Sequence, residues 1–132
     1  MADNVCVAGH KKEIMAVHDA MDVLNGKWKI SIISSICYYN ERRFSDILND
    51  VDGISNKMLS KELKDLEMNK LIKRTVFGTQ PVTVKYNLTE YGRTLQTIIN
   101  NLTDWGLEHR KEIIGKRSSE EKQDSYGHSI TI

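Results

Sequence analysis

The chain has 132 residues, 39% hydrophobic and 28% charged, with a formal net charge of +1. That balance suits one soluble globular domain, and no run reaches the roughly 18 apolar residues a membrane span needs. The opening "MADNVCVAGHKKEI" lacks a secretory apolar core, so a cytoplasmic protein is expected.

Residues 1–10 read as a flexible arm. From about Lys12 to Leu24, Ile14, Val17, Met21 and Leu24 recur at helical spacing. Asn25 and Gly26 end that helix, since both tolerate left-handed dihedrals. A second helix is predicted from about Lys27 to Tyr38, with Trp28, Ile32, Ile33 and Ile36 pointing inward. "NERR" reads as a turn, and "FSDILNDV" as a short helix capped by Ser45.

After the break at "VDGIS", Ser55 is a good N-cap for a fourth helix over 56–69. "LIKRTVF" and "VTVKYNL" alternate as strands around the turn "GTQP", which makes a β-hairpin. Thr89 caps a long helix from about Glu90 to Ile114, whose apolar stripe is Leu95, Ile98, Ile99, Leu102, Trp105 and Ile113. Residues 116–132 are polar and read as a disordered tail. The domain proper is 11–115. The expected fold is α+β and mostly helical: a winged helix-turn-helix with a two-stranded wing and a long C-terminal dimerisation helix.

The fourth helix carries the functional signal. With Asn56 at zero and about 100° per residue, Leu59, Leu63 and Leu66 fall near roughly 300°, 340° and 280°. Ser60, Lys57, Lys61 and Lys64 fall between roughly 40° and 140°, on the other side. Between Gly53 and Leu88 seven basic residues meet three acids, although the whole chain is nearly neutral. Ser55, Asn56, Lys57, Ser60, Lys61 and Lys64 form a surface of small polar groups and long cations, fit for a major groove. The hairpin would be the wing: Thr79 and Gln80 sit at its tip, and Lys73, Arg74 and Lys85 flank it to hold phosphates. Lys27 and Lys29 could reach the DNA backbone at the edge of this patch. A winged helix that binds a protein instead would carry apolar residues on that flank.

The long helix has another consequence. About 25 residues span roughly 37 Å, more than a small winged domain can cover. Ile98, Leu102 and Trp105, with His109 on the same stripe, then need a second subunit, helped by Ile14, Val17 and Met21. A homodimer would present two recognition helices about 34 Å apart to a pseudo-palindromic operator.

Other chemistry finds little support. There is no glycine-rich phosphate loop, no GxSxG and no HExxH, so no enzyme is expected. Cys6, His10 and His18 fall short of the ligand number and spacing of a zinc site, and no metal or cofactor is expected. Cys37 lies among apolar residues as an inert thiol. Cys6 is the candidate redox sensor, and no small-molecule effector is identified.

The stretches "GKWKISII", "RRFSDIL", "GISNKMLSKELKDLEMNKLIKRTVF", "VKYNLTEYGRTL" and "WGLEH" cover about residues 16–110 in unbroken order. Together they resemble the HxlR-type transcription regulators, a winged-helix family related to the MarR-like proteins. The resemblance implies a homodimeric DNA-binding repressor or activator, a recognition helix at "SNKMLSKELKDLEMN", a wing at "FGTQPVT" and terminal helices in the dimer contact. Two features depart from the family pattern. The redox cysteine that many members place ahead of the first helix falls at Ile14 or Met15 here, with Cys6 well upstream. The wing has one proline, Pro81, where members often have two.

Overall fold

A computed structural model of the chain describes residues 9–123, with side chains through residue 115. Most of the expected N-terminal arm, Cys6 included, lies outside the described residues. The elements are α1 (Lys11–Val23), α2 (Lys29–Tyr39), β1 (Glu41–Arg42), α3 (Phe44–Asp50), α4 (Asn56–Met68), β2 (Ile72–Phe77), β3 (Thr83–Leu88), α5 (Glu90–Arg93) and α6 (Gln96–Gln123). The chain divides into two units, Met1–Thr94 and Leu95–Ile132.

In the first unit, α2 is the central helix. It packs on α3, α4, β1 and β3. Its Ile32, Ile33 and Ile36 are fully buried, as are Ile47 of α3 and Leu59 and Leu66 of α4. Each such side chain contributes about 1.5–3 kcal/mol through the water it leaves. The helix stops at Asn40, which takes the left-handed φ of 72°, a conformation asparagine tolerates better than most residues.

The sheet is antiparallel in the order β1-β3-β2. Ile72 faces Leu88, Arg74 faces Tyr86 and Thr75 faces Lys85 across β2 and β3. β1 adds a short third strand, pairing Glu41 with Asn87 and Arg42 with Tyr86. Those residues were expected in a turn. Two residues are too few to show an alternation, and their strand conformation comes from the partner strand. Arg42 is further held by Asp50, which also accepts a hydrogen bond from the Ser35 hydroxyl at 2.7 Å. Burial would raise the Asp50 pKa, but the Ser35 bond and the Arg42 charge outweigh it and hold that carboxyl below its usual range.

Three further expectations are corrected. Ser45 does not cap α3. Arg43 occupies the N-cap with extended backbone, and its N–H donates to the Asp46 carboxylate at 3.1 Å. An acid three residues into a helix reaches back to the cap backbone in this way. The helix expected to run unbroken from residue 90 is interrupted at Thr94 and Leu95. Thr94 turns back on Tyr91, its N–H donating to the Tyr91 carbonyl at 3.1 Å and its hydroxyl to the same oxygen at 2.5 Å. The second unit's helix then continues to Gln123, so residues 116–123 are helical rather than part of a disordered tail. Polarity does not stop a helix, and no proline is present there to do so. Residues 124–132 lie outside the described residues.

Thr89 caps α5 as the sequence suggests, accepting from the Gly92 N–H at 2.9 Å. Its own N–H donates to the Leu71 carbonyl at 3.0 Å, which ties α5 to the start of β2. Gly92 presses against the same carbonyl: a Cβ there would lie 2.0 Å from the Leu71 oxygen. Backbone cannot yield as a flexible side chain can. Gly92→Ala is therefore expected to cost about 3 kcal/mol or more in equilibrium denaturation; a loss below about 1 kcal/mol would contradict this close approach.

Candidate nucleic-acid interface

α4 begins where the chain makes a sharp break. Gly53 takes a φ of 87°, and Ser55 then caps the helix, its hydroxyl accepting from the Met58 N–H at 3.1 Å. Leu59, Leu63 and Leu66 anchor one side of α4 in the core. The opposite flank is open: Ser55, Asn56, Lys57, Ser60, Lys61 and Lys64 are all exposed. Lys61 lies 3.6 Å from Asp65 on the next turn. Among the described residues, no carboxylate lies within ion-pair distance of Lys57 or Lys64.

A buried ion pair sits beneath this helix. The Lys29 ammonium of α2 donates to the Glu62 carboxylate, and their side chains are only 7% and 8% exposed. Asp65 approaches the same ammonium at 3.5 Å. Burial by itself would lower the Lys29 pKa, but the Glu62 hydrogen bond and the charges of Glu62 and Asp65 carry it above the ordinary lysine value. This corrects the expectation that Lys29 reaches the DNA backbone. A signal was present in the sequence. Lys29 precedes Ile32, Ile33 and Ile36 at helical spacing, and Glu62, near roughly 240°, borders the leucine arc. Lys27, in contrast, is exposed, with its ammonium 4.8 Å from the centre of the Trp28 ring. Trp28 itself is half-buried at the N-terminus of α2, not in the core.

Alternation divides the basic residues of the wing. Arg74 lies on the side of the sheet that carries buried Ile72, Tyr86 and Leu88. It lines a groove with Phe44, Ser60, Leu63, Lys64, Glu67 and Tyr86, next to the open flank of α4. Lys73 and Lys85 point to the opposite side. Lys85 is moreover engaged, 2.7 Å from Glu41 and above the Phe77 ring at 5.2 Å. Thr79 and Gln80 are exposed in the turn between β2 and β3, which Gly78 enters with a φ of 71°. The predicted cluster is thus brought together at Ser60, Lys64 and Arg74 and split at Lys73 and Lys85.

The residues expected in a subunit contact are open in this single chain. No residue of α1 is buried, and Ile14 is 69% exposed, with Val17 and Met21 similarly open. Within α6, Ile98, Leu102 and Trp105 are exposed, Trp105 by 67%, and the Trp105 ring stacks on His109 at 4.9 Å.

The family model described as HxlR-like helix-turn-helix matches residues 23–114. The uncharacterized HTH-type transcriptional regulator YtcD of Bacillus subtilis (strain 168) is 34% identical over 105 residues, spanning 80% of this chain and 82% of that protein. Among solved structures, the redox regulator HypR in its oxidized form superposes with a TM-score of 0.65 at 33% identity, covering 70% of this chain and 95% of the other. A protein described as a MarR-family transcriptional regulator, from Porphyromonas gingivalis W83, gives 0.65 at 32% identity, covering 82% of this chain and 96% of its own.

The buried pair makes a stability prediction. Lys29→Met alone leaves Glu62 charged and unpartnered, at a cost of about 3–5 kcal/mol, whereas Lys29→Met with Glu62→Leu should recover most of that loss. Because the folded pKa of Lys29 is raised, its contribution is present below the ordinary lysine value of about 10.4 and is lost as pH rises through the folded value. Denaturation of the native chain should therefore weaken more steeply than that of the double variant above about pH 10.4. Parallel curves would contradict the pairing.

Proposed function

The chain belongs to the HxlR-like helix-turn-helix family of transcriptional regulators, and from that premise we propose that it binds a pseudo-palindromic DNA operator as a homodimer. α4 is the recognition helix and lies in the major groove. The wing, residues 77–83, rests on the adjacent minor groove or backbone. The observation that carries this is the exposed flank of α4, where Lys57, Ser60, Lys61 and Lys64 face away from the leucines. The lysines supply sequence-independent affinity through counterion release, and Ser55, Asn56 and Ser60 supply hydrogen-bonding groups for base edges. Arg74, beside Ser60 and Lys64 in the same groove, continues the cationic track from helix to wing.

The dimer follows from what α1 and α6 leave open. Exposed Ile98, Leu102 and Trp105 at helical spacing on one helix, and Ile14, Val17 and Met21 on another, form apolar stripes that a second copy would take out of water. A second copy covers such surfaces by two-fold symmetry, which sets two recognition helices one DNA turn, about 34 Å, apart. For a redox input, Cys6 is the candidate thiol, a reading supported by the chain's similarity to a redox regulator of solved structure. Cys37 suits it less, since burial pushes its thiol pKa up more than nearby Arg93 pulls it down.

Two measurements test these assignments. Replacing Lys57, Lys61 and Lys64 together by alanine should weaken duplex binding and flatten the dependence of log K on log salt by roughly one unit per lost phosphate contact. An unchanged slope would show that the flank does not meet DNA. Trp105→Glu should yield monomers in sedimentation; an undiminished dimer would remove α6 from the subunit contact.

A further inference from the structure

Asp65 is placed between two cations of different standing. Its Oδ2 lies 3.5 Å from the Lys29 ammonium and 3.6 Å from that of Lys61. Lys29 is buried and fixed by Glu62, while the Lys61 side chain is 65% exposed and belongs to the open flank. The shared carboxylate is itself 39% exposed, at the boundary between core and solvent.

Resting on the DNA-binding reading above, we infer that Asp65 is a positioning residue that controls how much of the Lys61 charge is available to DNA. In the free protein Asp65 holds Lys61 against the helix. When a phosphate takes Lys61, the carboxylate that it leaves keeps Lys29 as its partner and is not stranded. An acid with one partner would oppose this exchange, because losing that partner leaves its charge to be solvated alone. Lys29, with its position set by Glu62, makes the exchange cheaper. The arrangement also lowers the effective charge of the recognition flank, which limits indiscriminate phosphate binding relative to a flank of three unpaired lysines.

The chemistry of the ligand is that of a nucleic-acid phosphate, and the probe is a mixed-sequence DNA duplex of about three helical turns. Asp65→Asn should tighten binding about two- to fivefold, the range of an exposed ion pair, and steepen the salt slope by up to roughly one unit. In a Lys61→Ala background the same substitution should gain nothing, because the cation it releases is gone. An equal gain in both backgrounds would mean only a change of net charge, and no gain in either would mean that the pair does not restrain Lys61; both overturn the inference. Lys29→Met with Glu62→Leu leaves Asp65 with Lys61 as its one partner and should weaken binding by a similar factor, with Asp65→Asn restoring it. Undiminished binding by that double variant overturns the role of Lys29. Thermal unfolding of every variant separates a lost fold from a lost contact, and if the double variant does not fold, the Asp65 and Lys61 cycle decides alone. A native chain that does not bind the duplex at all overturns the DNA-binding reading itself, and is thereby distinguishable from failure of the inference.

Discussion

The ion pair between Lys29 and Glu62 reinforces the rotation of α4 that its buried leucines set, and with it the side that the solvent sees. Three buried leucines supply most of the free energy that holds α4 to the core. Apolar contact is not directional, however, and leucines tolerate some rotation of a helix about its own axis. A buried pair does not. Its net contribution to stability is small, because the cost of taking two charges out of water offsets their attraction. Rolling α4 far enough to bring Lys57 or Lys64 inward would strand Lys29 in the core and bury a second unpaired ammonium. The pair therefore adds a directional restraint to what the leucines already hold, and contributes little net stability.

A second constraint comes from the pleat of the sheet. Successive residues of a strand face opposite sides, so neighbours in sequence are separated in space. Arg74 joins the groove beside α4, and Lys73 does not. Lys85 is occupied by Glu41 from β1, a strand that exists only because β3 pairs with it. Of the basic residues around the wing, Arg74 is thus the one continuous with the helix surface. The cationic surface continuous with α4 is smaller than the count of basic residues along the chain, and more local.

What was legible in the sequence was what is local. The helix 56–68, its Ser55 cap, the segregation of lysines from leucines and the hairpin that follows each leave a periodic signal within a short stretch. Other differences involve partners distant in the chain. β1 is set by Asn87 and Tyr86, and the break after Arg93 lies beside the contact of Gly92 with Leu71. Lys29 differs from expectation because a lysine in the run Lys27-Trp28-Lys29 reads as solvent-facing, while the carboxylate that holds it in the core lies 33 residues away. Ser45 lies inside α3 instead of capping it: Arg43 takes the N-cap place, and Asp46 accepts the Arg43 backbone N–H, the reciprocal of the bond that a capping serine accepts from inside a helix.

The central claim is that the open flank of α4 is the surface that meets DNA. Amide resonances of the isotope-labelled full chain, followed as duplex is added, test it most directly. The account predicts that Lys57, Ser60, Lys61 and Lys64 shift together with Arg74, while Leu59 and Leu66 on the buried side move little. Saturable binding of the duplex with the α4 resonances unmoved, and the perturbations gathered on another element, would contradict it.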